Sequence, residues 1–243
     1  MPILRGRRAE KAVAIPLFMS LSLLLSGCVG SGETVAAPPS GTLHLMPLGD
    51  SITDGYSLPG GYRVELYRRL AAEVPGLNLV GSQNNGPAGL ADRDHEGHIG
   101  WRIDEIAAQV DGWLDRAQPD VVLLMIGTND MIQNRDVGGA PARLGALLDR
   151  MFARSPGLRI LVSTLPPLAD AEENRRVTEY NAALPGLVES RAAQGKKIGL
   201  VNAGGSLGLA DLADGVHPNA AGYARLGEAW YGALGQATGA ASP

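Results

Sequence analysis

The stretch Leu45–Tyr56, LMPLGDSITDGY, decides how this chain is read. A short apolar run reaches Gly49-Asp50-Ser51 and gives way at once to polar and turn-forming residues. That pattern predicts a buried strand closing in a sharp turn. Ser51 then stands just past the carboxyl end of the strand, in the crevice where open α/β sheets hold their ligands. A serine so placed is a candidate nucleophile. It needs a base, an orienting acid and donors for a developing oxyanion from elsewhere in the chain.

Outward from this stretch, strand and helix patterns alternate. Leu43–Leu48 is the first strand, and Gly61–Glu73 carries Tyr62, Leu66 and Leu70 at helical spacing. Leu77–Val80 reads as a short strand. Arg102–Leu114 sets Ile103, Ile106, Val110, Trp113 and Leu114 on one helical stripe. Val121–Ile126 is apolar throughout, as a central parallel strand covered on both faces must be. Pro141–Phe152 is another amphipathic helix, and Arg159–Thr164 a strand stopped by Pro166 and Pro167. Val177, Tyr180, Leu184 and Val188 indicate a helix that Pro185 is expected to kink or restart. Ile198–Val201 is the last strand, and Asn219 a cap for a final helix bearing Tyr223, Leu226, Trp230 and Leu234. Five strands alternating with helices predict an α/β fold with a mostly parallel sheet in a three-layer sandwich.

The chain has 243 residues, 45% of them hydrophobic, enough for one well-buried domain and short for two. A net charge of −4 leaves no basic footprint, so nucleic acid is not an expected partner. At the N-terminus, Arg5, Arg7, Arg8 and Lys11 precede an apolar segment, Ala12–Leu25, of signal-peptide length. Leu25-Ser26-Gly27-Cys28 then resembles the bacterial lipoprotein signal, in which the cysteine is lipidated. Cys28 is the only cysteine, which excludes a disulfide framework. The expected organisation is a signal peptide over residues 1–27, a flexible Gly/Ser/Pro/Ala-rich linker over 28–42 and one folded domain over 43–243. An exported protein is expected, either held at a membrane of the cell envelope by a lipid on Cys28 or secreted.

Of the four histidines, His217 is the best placed base. It lies in Asp214-Gly215-Val216-His217-Pro218-Asn219, where Pro218 restricts its backbone and keeps it out of the final helix. Asp214, three residues earlier, can reach the outer imidazole nitrogen, fix the tautomer and stabilise an imidazolium. Asn129, in the GTND run directly after the central strand, emerges on the same rim as Ser51. The glycine-rich loop His95–Trp101 is the second source of donors, because glycine leaves backbone N–H groups approachable.

Ser51 in GDS, Gly100 in HEGHIGW, Asn129 in GTND and His217 in DGVHPN together resemble, in order, the four blocks of the SGNH (GDSL) hydrolase superfamily. The strings GDSITDGY, GGYR, VGSQ, DHEGHIGWRI and LLMIGTNDM are most similar to its carbohydrate esterase family 3 branch, which includes acetyl xylan esterases. The resemblance implies a flavodoxin-like α/β/α fold with a five-stranded sheet and no cofactor. It implies Ser51 as nucleophile, His217 as base and Asp214 as orienting acid. The Ser51 N–H, Gly100 N–H and Asn129 amide would form the oxyanion hole. Ile99 departs from the small polar residue expected in this branch, which bears on substrate rather than chemistry. Tyr56, Trp101 and His98 are expected substrate contacts, since aromatic rings with a polar tip suit sugar faces.

Other readings compete. Gly204–Gly208 matches the G-x-S-x-G elbow around Ser206, but too little chain follows it for a separate acid and histidine. His95 and His98 form a weak metal-like pair lacking a third ligand of recognisable spacing, and no metal is expected. Asp50 is expected to anchor the turn rather than act as the acid. Arg63 could meet Asp50 or Asp92 or stay solvated. For function, a serine esterase removing O-acetyl groups from carbohydrate, with acetylated xylan as the expected substrate, stands ahead of two alternatives. One is a lysophospholipase or thioesterase on the same scaffold. The other is a carbohydrate-binding lipoprotein without turnover.

Overall fold

The computed structural model describes residues 41–238, so the signal segment 1–27, Cys28 and nearly all of the linker lie outside the described residues. The elements run β1 (Leu43–Gly49), α1 (Ser51–Asp54), α2 (Tyr62–Leu70), β2 (Leu77–Leu79), β3 (Gln83–Asn84), β4 (Asp94–Gly97) and α3 (Ile103–Ala117). Then follow β5 (Val121–Met125), α4 (Thr128–Ile132), α5 (Ala140–Arg154), β6 (Arg159–Ser163), α6 (Ala171–Ala192), β7 (Lys197–Val201) and α7 (Ala220–Thr238). Strands β1, β5, β6 and β7 pair in parallel in that order. On the other edge of β1, β2 pairs with Leu43–Leu45 and β4 takes over at Leu48 and Gly49. Five strand positions in the order 2-1-5-6-7 result, the doubly wound flavodoxin-like arrangement.

Burial explains the order. Every residue of β5 is buried, consistent with a strand covered on both faces. Helices α2 and α7 pack together, as do α3, α5 and α6. The stripe Ile103, Ile106, Val110, Trp113 and Leu114 is buried as its spacing requires. Asn219 caps α7, its Oδ1 accepting from Gly222 N at 3.1 Å. Among the described residues no helix is long and apolar enough to cross a membrane.

The structure departs from the sequence reading at three places. Among the described residues the sheet contains seven strands rather than five, because β3 and β4 form a small antiparallel pair beside β1. Their sequences, Gln-Asn and Asp-His-Glu-Gly, carry no apolar alternation to announce them. Pro185 neither stops nor restarts α6, which is a single helix of 22 residues. Pro185 lies on the exposed side, where the missing N–H interrupts no buried contact. Finally, the turns after β1 and β5 each tighten into a helix of one turn, α1 and α4.

Candidate active site

Register brings the candidate loops together. Gly49 pairs with Gly97 of β4 on one side and with Met125 of β5 on the other. Three chain segments therefore leave the sheet at one level, leading to Ser51, to Gly100 and to Asn129. Gly49 itself must lack a side chain, since a Cβ there would stand 2.2 Å from Met125 O. Asp50 caps α1 by accepting from Ile52 N through Oδ1 at 3.0 Å, which turns the chain sharply and sets Ser51 as the first helical residue.

The candidate base arrives from the far end of the sequence. Ser51 Oγ lies 2.9 Å from His217 Nε2, and His217 Nδ1 lies 2.8 Å from Asp214 Oδ2. With Nδ1–H donating to the carboxylate, Nε2 is left free to accept the serine proton. Asp214 also fixes its loop, Oδ1 accepting from His217 N at 2.7 Å and from Val216 N at 3.0 Å. Partial burial pushes the Asp214 carboxyl up, but these bonds outweigh it and hold its pKa below the usual carboxylate value. Ala213 N donates to His217 O at 2.8 Å, and Ser57 Oγ donates to Pro218 O at 3.0 Å. The base loop is thus closed on itself and tied to the segment after α1.

Asn129 opens outward from α4, with Nδ2 donating one hydrogen to Trp101 O at 2.9 Å and a second left on the same nitrogen. Gly100 is exposed and has φ +79°, a conformation that favours glycine. Its loop is pinned by His98 N donating to Gly49 O at 2.9 Å. Tyr56 is 60% exposed, its ring centroid 5.1 Å from that of His217. Trp101 stacks on His98 at 4.3 Å. His98, an expected substrate contact, also stacks with Trp113 at 4.7 Å, Trp101 and Trp113 lying 5.9 Å apart, and its Nε2 lies 2.6 Å from Glu96 Oε1.

The remaining candidates resolve into structural contacts. Burial pushes the His95 imidazole down to about 3, and its Nδ1 accepts from Gly97 N at 3.0 Å. Ser206 donates to Ala203 O at 2.6 Å within its own turn. Arg63, neither solvated nor paired as expected, is completely buried. Its guanidinium donates to Thr53 O, Asp54 O, Asn85 O, Asn85 Oδ1 and Arg93 O, all within 2.7–3.1 Å. It is the residue whose importance sequence reasoning missed. A cavity of about 1190 Å³ opens at the opposite, amino-terminal edge of the sheet, among Leu43, Asp120, Arg159 and Lys197. It contains none of the candidate residues.

Asp50 is buried completely, and its Oδ2 has no hydrogen-bond partner. Burial is the main cause that raises its pKa to about 6; the Ile52 N–H bond and the nearby His217 oppose it. A folded state that holds this proton more tightly than the unfolded chain loses stability as pH rises from about 4 to about 6, by roughly 3 kcal/mol. Asp50→Asn lacks that titration. Its stability relative to wild type is therefore expected to improve by up to about 3 kcal/mol between pH 4 and pH 7. Urea unfolding at the two pH values checks this, and an unchanged difference would contradict it.

A serine–imidazole–carboxylate chain on the carboxyl rim of a doubly wound parallel sheet defines a serine hydrolase. Residues 48–225 match the model of the GDSL-like lipase/acylhydrolase family, and the chain belongs to that family. It is similar to a Clostridium thermocellum family 3 carbohydrate esterase, with a TM-score of 0.74, 34% identity and coverage of 83% of this chain and 100% of that one. A carbohydrate esterase family 3 structure from Talaromyces cellulolyticus gives a TM-score of 0.72 at 27% identity, again covering 83% of this chain and 100% of that one. A multidomain esterase of Ruminococcus flavefaciens is 29% identical over 253 residues, covering 93% of this chain. The chain spans only 32% of that relative's length. The folded domain is an esterase domain of the SGNH type.

Proposed function

We propose that this protein is a serine esterase that removes O-acetyl groups from carbohydrate, acetylated xylan being the leading substrate. The observation that carries the chemistry is the continuous chain Ser51 Oγ–His217–Asp214, with spacings of 2.9 and 2.8 Å. Ser51 Oγ attacks the ester carbonyl carbon while His217 Nε2 takes the hydroxyl proton. Negative charge gathers on the former carbonyl oxygen, facing the Ser51 N–H, the Gly100 N–H and the Asn129 amide. The Ser51 N–H, at the first position of α1, has no acceptor within that helix. Collapse of the intermediate breaks the bond to the sugar oxygen, which receives the proton from His217. Water then attacks the acetyl-serine with His217 as base, releasing acetate and restoring the hydroxyl.

The alcohol portion must lie beside the group that protonates it, so the exposed Tyr56 ring next to His217 is the proposed platform for the sugar, with Trp101 on the opposite loop. The family 3 carbohydrate esterases with which the fold is shared support a sugar ester over a lipid. Export and anchoring through a lipid on Cys28 belong to the same proposal and rest on the sequence of the N-terminus. No cofactor takes part in these steps.

Acetate release from acetylated xylan, set beside p-nitrophenyl esters of rising chain length, tests the substrate. The acetyl ester is expected to be hydrolysed at least about tenfold faster than the octanoyl ester, a discrimination within reach of a site that excludes several methylenes. A rate that climbs with chain length would favour a lysophospholipase or thioesterase. Binding of acetylated xylan without turnover of any ester would favour a carbohydrate-binding lipoprotein.

A further inference from the structure

Asp130 follows Asn129 directly, and its side chain is fully buried between α4 and the start of α3. Its Oδ2 accepts from Ile103 N at 3.0 Å, and its Oδ1 accepts from Arg143 Nη2 at 2.9 Å. Ile103 is the first residue of α3; Glu105 Oε2 accepts from Arg102 N at 2.9 Å, while the Ile103 N–H, which has no acceptor within the helix, turns to Asp130. Asp130 therefore supplies from α4 an acceptor for the first of the unpaired N–H groups of α3, and its carboxyl lies at the favourable end of the helix dipole. Arg143 is itself anchored, donating to Asp136 Oδ2 at 2.8 Å and to Arg135 O at 2.7 Å.

The segment held in this way is the continuation of the Gly100 loop. Gly100 precedes Ile103 by three residues, and α4 with the residue that ends it grips the intervening chain at further points. Asn129 Nδ2 donates to Trp101 O at 2.9 Å. Gln133 Nε2 donates to Gly100 O at 3.4 Å, while its Oε1 accepts from Arg102 Nη1 at 2.7 Å. One short helix thus carries one proposed oxyanion donor and clamps the loop that carries another. Among these contacts, the bond from Asp130 is the one made from a completely buried carboxylate, tied behind by a guanidinium.

We propose that Asp130 is a positioning residue for the oxyanion hole: by capping α3 from α4 it fixes the separation between the Gly100 N–H and the Asn129 amide. The inference rests on the oxyanion roles proposed above. Its consequence is kinetic, because donors displaced by about an ångström from a developing charge lose rate on the order of 10²-fold while substrate still binds.

The test is a double-mutant cycle on hydrolysis of p-nitrophenyl acetate, using the whole protein and variants shown to be folded by circular dichroism. Asp130→Ser is too short to reach Ile103, and it is expected to lower kcat by roughly 10–10²-fold with KM within about threefold of wild type. Asp130→Asn keeps an oxygen for Ile103 N and is expected to recover most of that loss. Asn129→Ala is expected to cost roughly 10²–10³ in kcat. The double variant Asn129→Ala/Asp130→Ser should fall at least about fivefold short of the product of the single losses, as coupled groups do. Losses that multiply, or a kcat for Asp130→Ser within twofold of wild type, would overturn the clamp while leaving the oxyanion reading in place. An Asn129→Ala enzyme of undiminished kcat would instead overturn that reading, and the clamp with it. Should Asp130→Ser fail to fold, Arg143→Gln frees the carboxylate from its tether. A kcat lower by about 3–10-fold at constant KM then supports the clamp, and an unchanged kcat overturns it.

Discussion

Ser51→Ala is expected to lower kcat for acetyl ester hydrolysis by roughly 10⁴–10⁶-fold while leaving the thermal transition within a few degrees of wild type. The two halves of the expectation have separate causes. In the proposed mechanism the hydroxyl carries the bond-forming step, and without it only oxyanion stabilisation and substrate positioning remain. Structurally, Ser51 Oγ bonds to His217, and alanine preserves the one-turn helix capped by Asp50. Asp214→Ala should be milder, on the order of 10–10³-fold, because its half-exposed position lets water take over part of the orientation of the imidazole. Steady-state kinetics on the three proteins, with melting curves alongside, decide this. Equal losses for Ser51→Ala and Asp214→Ala would mean that the carboxylate contributes more than tautomer control.

Arg63→Ala carries the largest expected loss of stability, roughly 3–5 kcal/mol. A completely buried guanidinium now donates to the carbonyls of Thr53, Asp54, Asn85 and Arg93. Removing it leaves those acceptors buried without donors and opens a cavity the size of the side chain. For a domain of this size the melting temperature should fall by roughly 10–15 °C. Arg63→Lys should recover little, since one compact ammonium cannot reach acceptors spread around a planar fork. Two of the four carbonyls belong to α1, so the nucleophile turn loses its support as well. A melting temperature within 2 °C of wild type for Arg63→Ala would show that the surrounding chain satisfies its own carbonyls.

The parts of the fold that the sequence announces are those in which burial imposes a period. The continuous apolar run of β5 and the stripe on α3 are buried as their patterns require. Strands β3 and β4 are polar, and β4 meets β1 over only two residue pairs, so no local pattern could reveal them. The meeting of Ser51 and His217 was legible because a parallel sheet sends all its strand ends to one rim, 166 residues of separation notwithstanding. Arg63 was not legible, because arginines are ordinarily at the surface and its partners are backbone carbonyls, which every sequence possesses. The aromatic cluster of His98, Trp101 and Trp113 depends on a residue on the far side of a turn and a helix start. Asp130 lies beside a recognised residue, yet its bond to Ile103 N appears only once α4 and α3 are placed side by side.

The most direct test of the account is the site of covalent labelling by a fluorophosphonate, read by mass spectrometry of proteolytic peptides. The activated hydroxyl should take the phosphonyl group on the peptide containing Ser51, and labelling should vanish in Ser51→Ala and slow by at least about 10²-fold in His217→Ala, which lacks the base. A label on Ser206, or ester hydrolysis that persists with Ser51 unmodified, would contradict the claim that the 2.9 Å contact between Ser51 and His217 is the centre of the chemistry.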